Sequence, residues 1–322
     1  MKLVKRSNFL LLAALAGMVI VSSFGDAPVV APQKPTLRTL IIDAGHGGRD
    51  QGAKGLISTE AAISLDIALK VGRAIEKEFP EIKVVYTRTS DQLPGNASDA
   101  SHGNRIRAEM ANQAKGDLFI SIHCNANAYP AGGYYAKRIV GYKNKTTYVG
   151  KGKKRRKKTV KAPIYESYWV KNMTKGTETY IWAADRSGFK GSVIDQTEEF
   201  GEDVQDSLNV LDLTSPEAKI RAQLYEKQFF AKSALMASLV EDEFKKAGRL
   251  SKGVKQRNHK GIWVLQATGM PSILVETGFI TNKEEEEYLV SEAGQDEITN
   301  NIVEAFRRYK RELETTRATN TR

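Results

Sequence analysis

The stretch from Ile41 to Glu60, IIDAGHGGRDQGAKGLISTE, constrains the fold of this chain more than any other. The aliphatic run Leu40-Ile41-Ile42 stops at Asp43 and breaks into a turn that carries Gly45, Gly47 and Gly48 around His46. Glycine lets backbone pass close to a site and take positive φ without steric cost, so these residues read as a strand tip opening onto a pocket. Gly52 and Gly55 prolong the irregular segment until Ser58-Thr59-Glu60 starts a helical pattern. An imidazole at a strand end and a carboxylate at the next helix start can converge on one point, as a metal site requires. Each residue also has an ordinary explanation. His46 could be a solvated turn residue, and Glu60 an acid favoured by the positive end of a helix. A capping box from Ser58 is excluded, because Ala61 stands three residues on.

The following segments alternate in period. Leu37–Asp43 is a predicted strand, and Ser58–Phe79 a helix with Ile63, Ile67, Val71 and Ile75 on one face, ended by Pro80. Ile82–Thr87 reads as a second strand, Gln92–Gly103 as a loop and Arg105–Lys115 as a short helix. In Asp117–His123, Leu118, Ile120 and Ile122 share one face of a strand, while Phe119, Ser121 and His123 share the other. Cys124 then points away from His123 and reads as a packed residue, not a ligand. Strand, helix, strand, helix, strand implies an α/β sheet with helices on both faces. Functional groups in such sheets gather at the carboxyl ends of strands, which puts His46, His123 and Glu60 on one rim.

Downstream, residues 129–175 read as an irregular surface insertion rich in glycine, tyrosine and basic residues. Gly176–Ala183 resumes as a strand, 185–215 is acidic and weakly patterned, and Pro216 opens a long helix. Gly261–Gln266 reads as a strand, and Met270–Asn282 holds another that ends at Glu276. Helical patterns over Lys283–Leu289 and Glu297–Lys310 close a single domain spanning 37–312, with 313–322 as a polar tail.

Lys2, Lys5 and Arg6 precede an apolar run from Phe9 to Val21, followed by small residues at Ser23 and Gly25. This is the layout of a secretory signal over 1–25, with an uncleaved anchor as the alternative, and 26–36 reads as a proline-containing leader. An exported, periplasmic protein is expected. Of the formal charge of +11, three units lie in residues 1–25. Lys151–Lys161 carries eight basic residues and no acid, so the remainder is neutral. A neutral body with one basic segment is unlike a nucleic-acid-binding face. That segment is expected either to hold anionic envelope polymers or a membrane surface, or to be a solvated loop. A lone cysteine, Cys124, excludes an internal disulfide.

Two imidazoles and one carboxylate suit Zn²⁺, with three protein ligands being the catalytic pattern. Glu276, after the aliphatic run Ile273-Leu274-Val275, is placed to move protons beside such a site; its ordinary explanation is an exposed strand-end acid. DAGHGGRDQGAKG followed by Glu60, TRTSD, Arg107 with Ala111-Asn112, DLFISIHCNAN, GTETY and MPSILVETGFITN stand in this order over roughly 38–312. Together they closely resemble the zinc-dependent N-acetylmuramoyl-L-alanine amidases of the type 3 amidase family, which are bacterial cell-wall hydrolases.

The resemblance implies that His46, Glu60 and His123 ligate zinc and that Glu276 is the catalytic glutamate. It implies a twisted, mostly parallel sheet flanked by helices. The reaction implied is hydrolysis of the amide between N-acetylmuramic acid and the L-alanine of a peptidoglycan stem, in wall remodelling or cell separation. Some members carry an inhibitory helix relieved by an activator protein, and the acidic stretch near Glu198-Glu199 occupies a comparable place. Peptidoglycan is therefore the expected partner, with an activator as a second, no nucleic acid, and a monomeric state. Ala44 and Ala61 replace a proline and a lysine common in the family. Arg88, Asp91, Arg107 and Glu178 match family positions and read as salt-bridge or sheet-edge residues. His102 and His259 match no ligand position. Competing readings are a zinc peptidase or deacylase using the same site, and a wall-binding protein without activity.

Overall fold

A computed structural model describes residues 37–182, 216–257 and 262–320. The expected signal and leader, the acidic stretch 185–215 and His259 lie outside the described residues. The strands, numbered along the chain, are β1 (Thr39–Ala44), β2 (Lys83–Tyr86), β3 (Leu118–Asn125), β4 (Gly133–Val149), β5 (Arg156–Lys171), β6 (Thr177–Ile181), β7 (Ser251–Gln256) and β8 (Ser272–Phe279). The helices are α1 (Glu60–Glu78), α2 (Ala100–Gln113), α3 (Pro216–Lys246), α4 (Trp263–Ala267), α5 (Lys283–Val290) and α6 (Glu292–Asn320).

Six strands form one sheet in the order β2-β1-β3-β8-β6-β7. β2, β1, β3 and β8 are mutually parallel, whereas β6 runs antiparallel to β8 and parallel to β7. Strand alternation divides the core into two layers. Leu40, Ile42, Leu118, Ile120, Ile122, Ile273 and Val275 pack with apolar residues of α1, α3 and α6. Ile41, Phe119 and Leu274 face the other way, onto Ala111 of α2 and Val264 and Leu265 of α4. The result is the α/β sheet with helices on both faces expected from the alternating periods, and it is mostly parallel, as the resemblance implies. Cys124 falls in the first layer, buried, where desolvation pushes its thiol well above the ordinary range. Among the described residues no helix is long and apolar enough to cross a membrane.

Several expectations are corrected. Residues 133–171 are not an irregular loop but a long antiparallel hairpin, β4 paired with β5. Most of its side chains are exposed on both faces, so the alternation of apolar and polar residues that marks a half-buried strand is missing. The helix expected from Arg105 begins at Ala100, where the Asp99 side chain caps it by accepting from the His102 amide at 2.9 Å. Trp263–Ala267 is a helical turn, not a strand; short apolar runs do not distinguish the two by period. β7, with Val254 as its one aliphatic residue, is an edge strand that gave no apolar signal. β8 continues beyond Glu276 to Phe279. The expected polar tail is helical as far as Asn320, continuing α6.

The loop that joins β1 to α1 is pinned from a distance. Glu286 on α5 is fully buried, and its carboxylate accepts from the amides of Leu56, Ile57 and Ser58 at 2.7, 2.7 and 2.8 Å. Three charge-assisted bonds supply the partners that a buried carboxylate requires and fix the backbone of the loop. A Cβ at Gly55 would lie 2.1 Å from a Glu286 oxygen, so the glycine is what lets the carboxylate approach. Replacing Glu286 by Gln removes the charge and turns one acceptor into a donor. It should cost about 1–3 kcal/mol, read as a lower urea midpoint. An unchanged midpoint would show that the loop holds without it.

Candidate metal centre

His46, Glu60 and His123 come together at the carboxyl end of β1 and β3, with one donor atom from each lying within 4.8 Å of the others. Glu60 is the first residue of α1, behind the cap Thr59, and is buried. Its Oε1 lies 3.1 Å from His46 Nε2 and 2.8 Å from His123 Nδ1. Its Oε2 accepts from the Ala53 amide at 2.9 Å. Burial alone would raise the Glu60 pKa, but the two imidazoles outweigh it and hold the carboxyl far below the usual range. Burial likewise disfavours a charged His46, yet the carboxylates of Glu60 and Asp50 hold its pKa up at about 8.

Backbone shape makes this approach feasible. His46 itself has φ of 60°, a left-handed conformation uncommon outside glycine, and Gly47 and Gly48 follow with positive φ. A Cβ at Gly45 would lie 2.3 Å from the His123 ring, and one at Gly52 would lie 2.6 Å from Glu60 Oε2 and 2.7 Å from the His46 ring. Two glycines thus form the floor under all three donors. Two imidazole nitrogens and one carboxylate oxygen, so cradled, form a donor set that fits Zn²⁺ with a position left open.

Asp50, which sequence reasoning passed over, accepts from or shares a proton with His46 Nδ1 at 2.9 Å. A carboxylate on the second ring nitrogen fixes which nitrogen faces the donor cluster. Its place four residues after His46 in GHGGRD was the available signal.

Two buried arginines hold the loop. Arg88 donates to the carbonyls of Ala44 at 2.9 Å and of Gly45 and Ala61, both at 2.7 Å. Arg107, 2% exposed, pairs with Asp43 and donates to the carbonyls of Ala44 and His46. Thr87 and Ser121 hydroxyls also donate to Asp43, each at 2.6 Å. Asp91 accepts from the Gly48 amide at 2.9 Å. Arg88, Asp91 and Arg107, read from the sequence as salt-bridge or sheet-edge residues, therefore shape the His46 turn. His102 is exposed on α2, away from the cluster.

Glu276 stands beside His123 in the parallel β3–β8 register and opposite Glu178 in the antiparallel β6–β8 register. Burial, followed by the negative charges of Glu60 and Glu178, pushes its pKa up to about 8. Among the described residues its Oε2 is buried with no hydrogen-bond partner, an uncommon state for a carboxylate oxygen. Glu178 is already engaged, bonded to Lys255 at 2.8 Å, Tyr180 at 2.7 Å and Asn125 at 2.9 Å. A cleft of about 330 Å³ is lined by the three donors with Glu276, Asn104, Tyr180, Arg257 and Trp263.

The fold and its edge cluster define an α/β protein with a His-Glu-His site at the carboxyl end of a mostly parallel sheet. The profile of the N-acetylmuramoyl-L-alanine amidase family matches residues 40–308, and the chain belongs to that family. It is 29% identical over 275 residues to N-acetylmuramoyl-L-alanine amidase AmiC of Escherichia coli, covering 84% of this chain and 52% of that one. It is 37% identical over 103 residues to an uncharacterized cell wall amidase of Bacillus anthracis, covering 31% and 19% respectively. The chain thus spans about half, or less, of the length of these relatives. Two solved Clostridium difficile amidase structures share the fold. The first is 21% identical, with a TM-score of 0.50, and covers 85% of this chain and 97% of that one. The second, the CwlD amidase in complex with the GerS lipoprotein, is 20% identical, with a TM-score of 0.51, and covers 84% and 98%.

Burial raises the Asp43 pKa, but Arg107, Ser121 and Thr87 outweigh it, leaving the group below its ordinary value. A depressed acid contributes stability above its unfolded pKa of about 3.9, and that contribution is lost as pH falls through the folded value. Asp43→Asn strands the Arg107 charge in the core and should cost about 3–5 kcal/mol at neutral pH. The gap to the parent should narrow as pH drops below about 4, which urea titrations at several pH values will test. A gap independent of pH would refute this.

Proposed function

We propose that this domain is a zinc-dependent amidase that hydrolyses the bond between the lactyl carbonyl of N-acetylmuramic acid and the L-alanine nitrogen of peptidoglycan. The observation that carries the reading is the convergence of His46, Glu60 and His123 in one cleft with the buried carboxylate of Glu276. Membership of the amidase family supports the choice of substrate.

In this reading His46, Glu60 and His123 hold the zinc ion. Bound there, zinc supplies a Lewis acid and makes a water molecule far more acidic than in bulk. Asp50 keeps the His46 ring turned so that Nε2 faces the cluster. Glu276 accepts the proton that water gives up as the C–O bond forms, then delivers it to the alanine nitrogen as the C–N bond breaks. The products are a lactyl carboxylate and a free amine. Burial and neighbouring acids raise the proton affinity of this carboxyl above that of an ordinary glutamate, which suits it to hold a proton between the two halves of the transfer. A cation on Glu60 would offset part of that carboxylate's influence. Export to the periplasm through a signal at 1–25, a catalytic unit over 37–312 and a role in cell separation complete the proposal.

Digested sacculi should release stem peptides whose first residue is a free-amine alanine, identified by mass spectrometry. Cross-bridge cleavage instead would indicate a peptidase, and the absence of any product a binding protein. Glu276→Gln should lower turnover by about 10²–10⁴-fold while the protein retains its bound zinc, measured by elemental analysis. Retained turnover would remove Glu276 from the chemistry. Chelation should abolish activity and lower the thermal midpoint, with zinc restoring both; at 100 times Kd, ligand linkage amounts to about 2.7 kcal/mol. A midpoint indifferent to chelator and zinc would count against the metal assignment.

A further inference from the structure

Among the described residues the β4–β5 hairpin pairs only with itself, and two strands alone are marginally stable in water. Its sequence from 133 to 171 holds thirteen Lys and Arg residues against the single acid Glu166. The whole chain carries +11, so this hairpin accounts for more than the entire net charge. Its two faces also differ. Alternation puts Tyr135 and its partner Trp169 on the same face as Tyr165. A bulge at Val140 restores that phase, so Tyr142 and Tyr148, the latter opposite Lys157, continue the row. All five rings are more than half exposed.

Part of this row supports the hairpin itself. Tyr135 and Trp169 meet edge to face at 5.1 Å, and Arg155 lies 4.5 Å above the Tyr148 ring. Hairpin stability does not account for the rest, since Tyr142 and Tyr165 leave most of their surface in water. Exposed aromatic surface of this extent marks an interaction face. A strand of 17 residues spans about 55 Å, so the partner is long. The charge requires a polyanion. The turn itself, around Lys151–Arg155, is basic and not apolar, which argues against insertion into a bilayer.

The base of the hairpin identifies which polyanion. The chain leaving β3 passes Asn125 and Ala126, which line the cleft, before it reaches Gly133. Gly132 donates to the Thr281 carbonyl at 3.0 Å, and Asn127 bonds Asn172 and Thr174 at the far end of the hairpin. The base of the hairpin therefore adjoins the rim of the candidate site. Resting on the amidase reading above, we propose that the β4–β5 hairpin is a docking arm for the anionic glycan–peptide polymer of the wall. The flat apolar faces of sugar rings stack on the tyrosine row, and stem-peptide carboxylates pair with the flanking lysines. The arm acts on polymer capture and leaves the bond-breaking step to the cleft.

The test uses the full chain. Pelleting with purified sacculi, in a Glu276→Gln background so that the polymer stays intact, compares the parent with Y142A/Y165A and with K153S/K154S/K157S/K158S. Both arm variants should lose at least tenfold in apparent affinity. The lysine variant should also lose salt sensitivity, which the tyrosine variant keeps. With Glu276 in place, turnover of a soluble muropeptide should equal the parent's in both. Pelleting equal to the parent's in either variant would overturn the proposal. So would tighter parent binding to a 30-nucleotide oligothymidylate or to phosphatidylglycerol vesicles than to sacculi. If the parent fails to cleave the soluble muropeptide, the amidase reading falls, and pelleting still decides the arm.

Discussion

The buried ion pair of Arg107 with Asp43, flanked by Arg88, is the interaction on which the site depends. A charge taken from water into a protein interior costs several kcal/mol, and its partner returns that only with good geometry and further hydrogen bonds. Here Arg88 reaches the Ser90 carbonyl and Arg107 the Thr87 hydroxyl, and donors of both guanidiniums go to backbone carbonyls of Ala44, Gly45, His46 and Ala61. Those are the residues that lead from β1 through the His46 turn, with the start of α1. The arginines therefore contribute position more than stability, holding a left-handed histidine where three donors can meet.

A second constraint comes from the sheet. In β3 and β8 the residues that alternate toward α2 and α4 become polar at the carboxyl end, giving Ser121, His123 and Glu276 after Phe119 and Leu274. Asp43 follows Ile41 on the same face of β1. One face of three parallel strands thus changes from core to site within two residues. The opposite face stays aliphatic as far as Ala44, Ile122 and Val275, carrying α1, α3 and α6 and supplying most of the burial that stabilises the domain. Rigid strands below and a glycine-floored loop above are what bring a carboxylate and two imidazoles together without flexible linkers.

Much of this was legible in the chain. Consecutive aliphatic runs marked β1 and β8, alternation marked β3, and period 3.6 marked α1 and α3, because those elements are buried on one or both sides. His46, Glu60, His123 and Glu276 stood out because each interrupts or follows a pattern. The hairpin did not stand out, because with both faces in solvent nothing forces its apolar residues to alternate. Glu286 was hidden for a different reason. Within KEEEE on a short helix it is indistinguishable from its exposed neighbours, and its partners lie more than two hundred residues away. β7 and the end of α6 were missed because neither carries enough apolar surface to declare a period.

The sequence by itself determined the layered α/β class, the buried strand faces, the excess charge between residues 133 and 171 and the candidates for a metal site, since each follows from local composition and spacing. Only the tertiary structure decided that Glu60 sits between two imidazoles, that Asp50 turns one of them, that two arginines bind the intervening carbonyls, and that the basic segment is a hairpin with an aromatic face. These depend on distances between residues far apart in the chain. Such distances are set by how strands pair and helices pack, and no local pattern encodes them.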